Sequence, residues 1–145
     1  MFAKDLNKVN LGNAKYSIIQ TFHFDASHSL NQNDFKYLGE WAMVDLSKCF
    51  NDHGHTYKLD VEWEGFPTDE RPMISPFGKL KSFVKPLIDG CDHQNLNKVF
   101  QFPTTLENLA NWFFKRLQAY NGDDLKIKSV TLTEGVNNRV RVEPI

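Results

Sequence analysis

From His53 to Glu64 the chain reads HGHTYKLDVEWE, and its apolar and polar residues alternate without a break. In an extended segment His55, Tyr57, Leu59, Val61 and Trp63 share one face, while Thr56, Lys58, Asp60, Glu62 and Glu64 share the other. A period of two with charges on one side is a half-buried strand of an antiparallel sheet. That strand constrains everything else, because some other layer must cover its apolar face. KYSIIQTFHFDASHSL has the β-branched and aromatic content of a second strand, from about Tyr16 to Ser27. Its alternation sets Phe22, Phe24, Ala26 and His28 on one face, and His23, Asp25 and Ser27 on the other.

The covering layer is legible further along. Ser75-Pro76 reads as an N-cap followed by proline at the first helical position, and Phe77, Leu80, Phe83, Val84 and Leu87 follow at helical spacing. Pro86 is expected to kink or end that helix. Thr104-Thr105-Leu106-Glu107 reads as a capping box, which also gives Glu107 a structural role. Leu106, Leu109, Ala110, Phe113, Leu117 and Tyr120 line the buried face of the helix behind it, and Asn121-Gly122 stops it. Leu125 to Glu134 and Arg139 to Glu143 are two closing strands, joined by a turn at 135–138. Residues 1–14 form a polar extension, 29–50 a long polar connection, and 90–102 an irregular stretch. The order strand, strand, helix, helix, strand, strand predicts an α+β fold in one domain, 1–145. In it a four-stranded antiparallel sheet carries both helices on one face.

Composition narrows the partners. The net charge is −1 and there is no basic run, which argues against nucleic acid or an anionic membrane as a partner. A small molecule is the expected partner. No apolar run reaches the ~18 to 20 residues of a membrane span, and the start, MFAKDLNKVNLGNAK, has no apolar signal core. Two cysteines, Cys49 and Cys91, make neither a disulfide framework nor a CxxC motif. A reduced, cytoplasmic protein is the expectation.

The chemistry concentrates in CFNDHGHTY, residues 49–57, which holds one of two cysteines and two of five histidines. His53 and His55 stand two apart on a strand and point the same way, with Gly54 removing bulk between them. They are the start of a metal site, and His28, at the end of the other strand, is the best third ligand. Three neutral histidines suit zinc and leave its fourth position open. Cys49 is either a fourth ligand that closes a structural site, or a base beside an open one whose pKa a cation would lower. Asp92-His93 is either a turn pair or an interacting pair. Glu134, on the face of Val130 and Leu132, either sits at the wet margin of the sheet or grips a pair of donors.

Five stretches taken together resemble one family, the 6-pyruvoyl and 6-carboxytetrahydropterin synthases. FHFDASH is similar to its F-x-A-x-H, CFNDHGHTY to its C-x3-H-G-H-x-Y, and CDHQNLN to its L-D-H-x-x-L-N. PTTLENLANWFF is similar to its P-T-x-E-x-L-A helix start, and VTLTEG to its closing strand with a terminal Glu. The matches keep the family order over roughly residues 16 to 143. The resemblance implies zinc on His28, His53 and His55, and Cys49 as proton acceptor. It implies Asp92 and His93 as a proton relay, and Glu134 as anchor of the pterin's amino-pyrimidine edge and part of that relay. Thr104 and Thr105 join Glu134 as expected substrate contacts. It implies the tunnelling fold, with sheets of several subunits joined into barrels, commonly hexamers, and active sites between subunits. The implied reaction converts 7,8-dihydroneopterin triphosphate to 6-carboxy-5,6,7,8-tetrahydropterin, acetaldehyde and triphosphate, a precursor step for queuosine and 7-deazapurines. The alternatives are triphosphate elimination to 6-pyruvoyl tetrahydropterin, and a zinc or pterin-binding module without catalysis. The chain departs from the family pattern at Pro76-Phe77, at Cys91, in its N-terminal extension and in the length of the 29–48 loop.

Overall fold

The computed structural model describes residues 9–145. The first part of the expected extension, residues 1–8, lies outside them. The remainder contains a short 3-10 turn, Leu11–Asn13, tethered where the Leu11 N–H donates to Asp69 Oδ1 at 2.9 Å.

The two alternating segments are strands, and they pair with each other. β1 (Tyr16–His28) runs antiparallel to β2 (His53–Gly65) along its whole length, with Tyr16 opposite Gly65 and His28 opposite His53. β4 (Leu125–Glu134) lies on the other side of β2, and β5 (Asn138–Val142) folds back on β4 through a tight turn. That turn holds Gly135 at φ 67°, a left-handed conformation that glycine adopts without strain. Among the described residues the sheet has five strands rather than four: with β3 (Gln94–Asn95) at one edge, the order is β3-β1-β2-β4-β5. The added strand is two residues long and runs parallel to the end of β1. Two residues carry no periodicity, so this stretch reads as irregular in the sequence.

The apolar face of β2 is the floor of the core. Tyr57, Leu59, Val61 and Trp63 are all fully buried, against α2 (Phe77–Cys91) and α4 (Leu106–Gln118). One bulge adjusts the fit: the β2–β4 register shifts between Glu62 and Trp63, which turns Ile127 as well as Val130 and Leu132 into the core. Pro76 is the N-cap of α2 rather than its first residue, and Pro86 sits inside the helix without ending it. The buried line of α2 is Leu80, Val84, Ile88 and Cys91, while Phe77 is exposed.

The connection 29–50 is ordered by short turns. Helix α1 (Glu40–Asp45) lies between 3-10 turns at Lys36–Leu38 and Ser47–Phe50, and Phe35 is buried beneath them. A further short helix, α3 (Leu96–Val99), follows β3. Among the described residues no helix is long and apolar enough to cross a membrane.

Candidate active site

The β1–β2 register assembles a histidine cluster at one end of the sheet. His28 faces His53 directly across the strand pair, and His55 lies next along β2. Ring centroids are 4.7 Å apart for His28 and His53, 5.3 Å for His28 and His55, and 4.8 Å for His53 and His55. One ligand atom from each lies within 4.8 Å of the other two. His28 is buried, with Nδ1 3.0 Å from both the carbonyl and the hydroxyl oxygen of Thr104. His53 Nδ1 lies 2.7 Å from the Asn51 carbonyl. A carbonyl only accepts, so both Nδ1 atoms carry the proton and both Nε2 atoms keep a free lone pair. Burial holds the His28 pKa down at about 4, with His53 and His55 adding to it. Burial also lowers that of His55, against the pull of Glu134.

The surroundings fit a cation. Glu134 Oε1 lies 3.7 Å from His28 Nε2 and 3.4 Å from His55 Nε2. The lone pair of His28 Nε2 and that carboxylate oxygen repel each other, and a metal ion among them removes the conflict. Carbonyl acceptors behind Nδ1 are the usual outer support of metal-binding histidines.

These groups line a cavity of about 730 Å³, together with Cys49, Thr105 and Glu107. The Tyr57 hydroxyl donates to Glu134 Oε1 at 3.4 Å, and burial with the nearby carboxylate pushes the phenol far above its ordinary pKa, so it stays a donor. The backbone of Cys49 is pinned on both sides: its N–H donates to the Leu46 carbonyl and its carbonyl accepts from Leu30 N–H, both at 2.8 Å. Burial pushes the Cys49 thiol up, and Glu134 and Asp45 add to the effect. The protein's own groups therefore disfavour the thiolate that the sequence suggests, and only a nearby cation would reverse that. Cys91 is buried in the core and its pKa is pushed up to about 11, which suits a packing role.

Asp92 and His93 do touch. Asp92 Oδ1 accepts from His93 Nδ1 and from the Asp25 N–H, each at 3.0 Å, while His93 N–H donates to the Asp25 carbonyl at 2.6 Å. The Asp25 N–H, then His93, holds the Asp92 carboxyl below its ordinary pKa. The pair does not meet Cys49, however. His93 borders a separate hollow of about 530 Å³ with Asp25 and Thr56, whose side chains occupy the helix-free face of the sheet. Within one chain Cys49 and His93 line different hollows, and His55 borders both.

The helix start also differs from its sequence reading. Thr105, not Thr104, caps α4, and its hydroxyl accepts from Asn108 N–H at 3.1 Å. The third helical position is therefore Asn108, and Glu107 closes no capping box. Its side chain belongs to the cavity wall, where the sequence offered only a structural role. Thr104 is fully buried behind His28 and does not line the cavity, whereas Thr105 does. Phe35, Tyr37 and Leu38 of the 29–50 connection complete the wall, a contribution signalled only by the length of that loop. No lysine or arginine is among the described residues that line the cavity.

Comparison with known proteins gives the family. The family model for 6-pyruvoyl tetrahydropterin synthase matches residues 17–144. The dihydroneopterin monophosphate aldolase of Pyrococcus furiosus is 34% identical over 129 residues, covering 89% of this chain and 98% of that protein. The 6-carboxy-5,6,7,8-tetrahydropterin synthase of Haemophilus influenzae is 34% identical over 144 residues, covering 82% and 92%. The 6-pyruvoyl tetrahydropterin synthase structure from Caenorhabditis elegans superposes with a TM-score of 0.75 at 26% identity, covering 91% of this chain and 97% of that one. With all of its sheet but Tyr16 and both long helices inside the family match, the chain has the tunnelling fold and belongs to the 6-pyruvoyl tetrahydropterin synthase family, as an enzyme of the lyase class.

Proposed function

We propose that the protein is a zinc-dependent lyase that converts 7,8-dihydroneopterin triphosphate and one water to 6-carboxy-5,6,7,8-tetrahydropterin, acetaldehyde and triphosphate. The observation that carries the proposal is the single cavity walled by His28, His53, His55, Cys49 and Glu134. His28, His53 and His55 would hold the zinc, which when bound polarises the side-chain oxygens of the substrate and acidifies the neighbouring C–H bonds. Glu134 would accept two parallel N–H bonds from the amino-pyrimidine edge and orient the ring. Glu107 and Thr105 face the same space and would add contacts to it. Cys49 would take a carbon-bound proton from the side chain, and His93, held by Asp92, would serve the second transfer.

Cys49 and His93 stand in different pockets of one chain, so the relay needs a second copy. The sheet is open: β5 is one edge, and β1 before Ala26 is the other. Joining such edges into a barrel would cover them, and on this reading it would bring one subunit's His93 toward another's Cys49. The family resemblance favours a hexamer, working in the cytoplasm. No described residue of the cavity wall is lysine or arginine, so the phosphates also need cations from beyond it.

Metal analysis of variants tests this reading. His53→Ala should lose zinc and Cys49→Ala should retain it. Loss from both would instead indicate a closed structural site with a cysteine ligand.

A second reading is favoured by the Pyrococcus furiosus relative, whose name specifies an aldolase acting on dihydroneopterin monophosphate. The same cavity suits that chemistry. A base takes the proton of the second side-chain hydroxyl, the bond to the first side-chain carbon breaks, and its electrons pass into the ring imine. Reprotonation leaves a hydroxymethyl dihydropterin and glycolaldehyde phosphate. A lower phosphate charge also suits a wall without cations. The released fragment separates the two readings.

A further inference from the structure

Asn97 lies outside the cavity, yet its side chain ties together the supports of His28. β1 ends at His28, and the next residue, Ser29, leaves the sheet with its backbone groups unpaired by any strand. Asn97 replaces the missing strand. Its Oδ1 accepts from Ser29 N–H at 2.7 Å, and its Nδ2 donates to the Ser29 carbonyl at 2.9 Å. The same Nδ2 lies 3.4 Å from Thr104 Oγ1, the hydroxyl that sits 3.0 Å from His28 Nδ1. One amide therefore holds the backbone after His28 and orients the group behind its ring. Asn97 is itself set by Asn95, whose side chain accepts from Asn97 N–H at 2.9 Å as the cap of α3. Asn95 Nδ2 also reaches Asp52 Oδ1, beside His53, at 3.4 Å.

We propose that Asn97 is a positioning residue for the metal site, acting through Ser29 and Thr104 on His28. A metal ligand must present its lone pair in a fixed direction and in one tautomer. The Thr104 carbonyl can only accept, which keeps the proton on His28 Nδ1 and leaves Nε2 free for the metal. Asn97 fixes where that support stands, by holding both backbone groups of Ser29 and the Thr104 hydroxyl. Without Asn97 the chain after His28 loosens and the ring loses its fixed direction. The inference rests on the proposed zinc site.

The test is zinc affinity of the full-length protein, measured by chelator competition, with the visible spectrum of the cobalt-substituted protein as a second readout. Asn97 is an exposed side chain, so Asn97→Ala should fold. It should bind zinc about 10- to 100-fold more weakly, the usual cost of losing an outer support, and shift the cobalt bands. Thr104→Val should weaken binding and Thr104→Ser should restore it, since serine keeps the hydroxyl. Unchanged zinc affinity and unchanged cobalt bands in Asn97→Ala, with normal binding by the parent protein, would overturn the role of Asn97 alone. A parent protein that binds no zinc would overturn the metal reading, and the inference with it. A fall in melting temperature of the zinc-free variant without a change in zinc affinity would reduce Asn97 to a structural tie and also overturn the proposal.

Discussion

Replacing Glu134 by glutamine probes the proposed ring anchor with a defined change. One carboxylate oxygen, Oε1, already has a partner, because the Tyr57 hydroxyl donates to it. Burial and the carboxylate keep that phenol protonated, so Tyr57 can only draw an acceptor toward itself. In Glu134→Gln the amide oxygen therefore turns to Tyr57, and the NH2 group turns to the ligand. A pterin edge that offers two N–H donors then meets one lost charge and one opposing donor. A charge-assisted hydrogen bond contributes about 1.5 to 3 kcal/mol, and the mismatch adds to it. A loss of about 2 to 4 kcal/mol follows, which is about 30-fold to several-hundred-fold in affinity. Calorimetric titration of the zinc-loaded protein with a dihydropterin measures it. Adding Tyr57→Phe frees the amide to rotate, so the double variant should recover about 1 kcal/mol of the loss. Zinc content should stay at the parent level. Unchanged pterin affinity would remove Glu134 from the binding site, and loss of zinc would make it a metal ligand instead.

Three further outcomes follow from other parts of the molecule. Cys49→Ala should keep pterin affinity and lower kcat by about 100-fold or more, as expected of a group used only in proton transfer; full turnover would sink its assigned role. Mixed oligomers reassembled from Cys49→Ala and His93→Ala chains should regain activity that neither variant has alone, because some sites then combine two intact residues; light scattering that finds only monomers, or mixtures that stay inactive, would refute the shared site. Gly65→Ala should destabilise the fold by about 1 to 3 kcal/mol, because an added Cβ would meet Ile74 Cγ2 at 2.3 Å; thermal unfolding measures this, and an unchanged midpoint would show that Ile74 moves aside freely.

The parts of the fold legible in the sequence are those set by long periodic segments. The alternation through His55, Tyr57, Leu59, Val61 and Trp63 names the buried face of β2, and the closing strand places Glu134 on the matching face, opposite Tyr57. Direction on a strand is a local property, so the sequence also orients His28, His53 and His55 together. What it could not give depends on contacts made at a distance. Thr104 looks like a helix cap, but a partner 76 positions away, His28, claims its hydroxyl and leaves Thr105 to cap. Glu107 loses its assigned role through the same one-residue shift. β3 forms because Gln94 and Asn95 are delivered to the edge of β1 by α2, which no two-residue pattern records. The separation of Cys49 from Asp92 and His93 is likewise invisible locally, since it depends on which side of the sheet each loop enters.

Product analysis decides whether the protein acts as a lyase on the side chain of a phosphorylated dihydroneopterin. Purified zinc-loaded protein is incubated with 7,8-dihydroneopterin triphosphate, and separately with the monophosphate, and the products are identified by mass spectrometry. The triphosphate should yield 6-carboxy-5,6,7,8-tetrahydropterin with equimolar acetaldehyde, and His53→Ala should yield no such product. Hydroxymethyl dihydropterin with glycolaldehyde phosphate from the monophosphate alone would establish the aldolase reading in its place. Both substrates recovered intact from the zinc-loaded protein would refute lyase activity on either one.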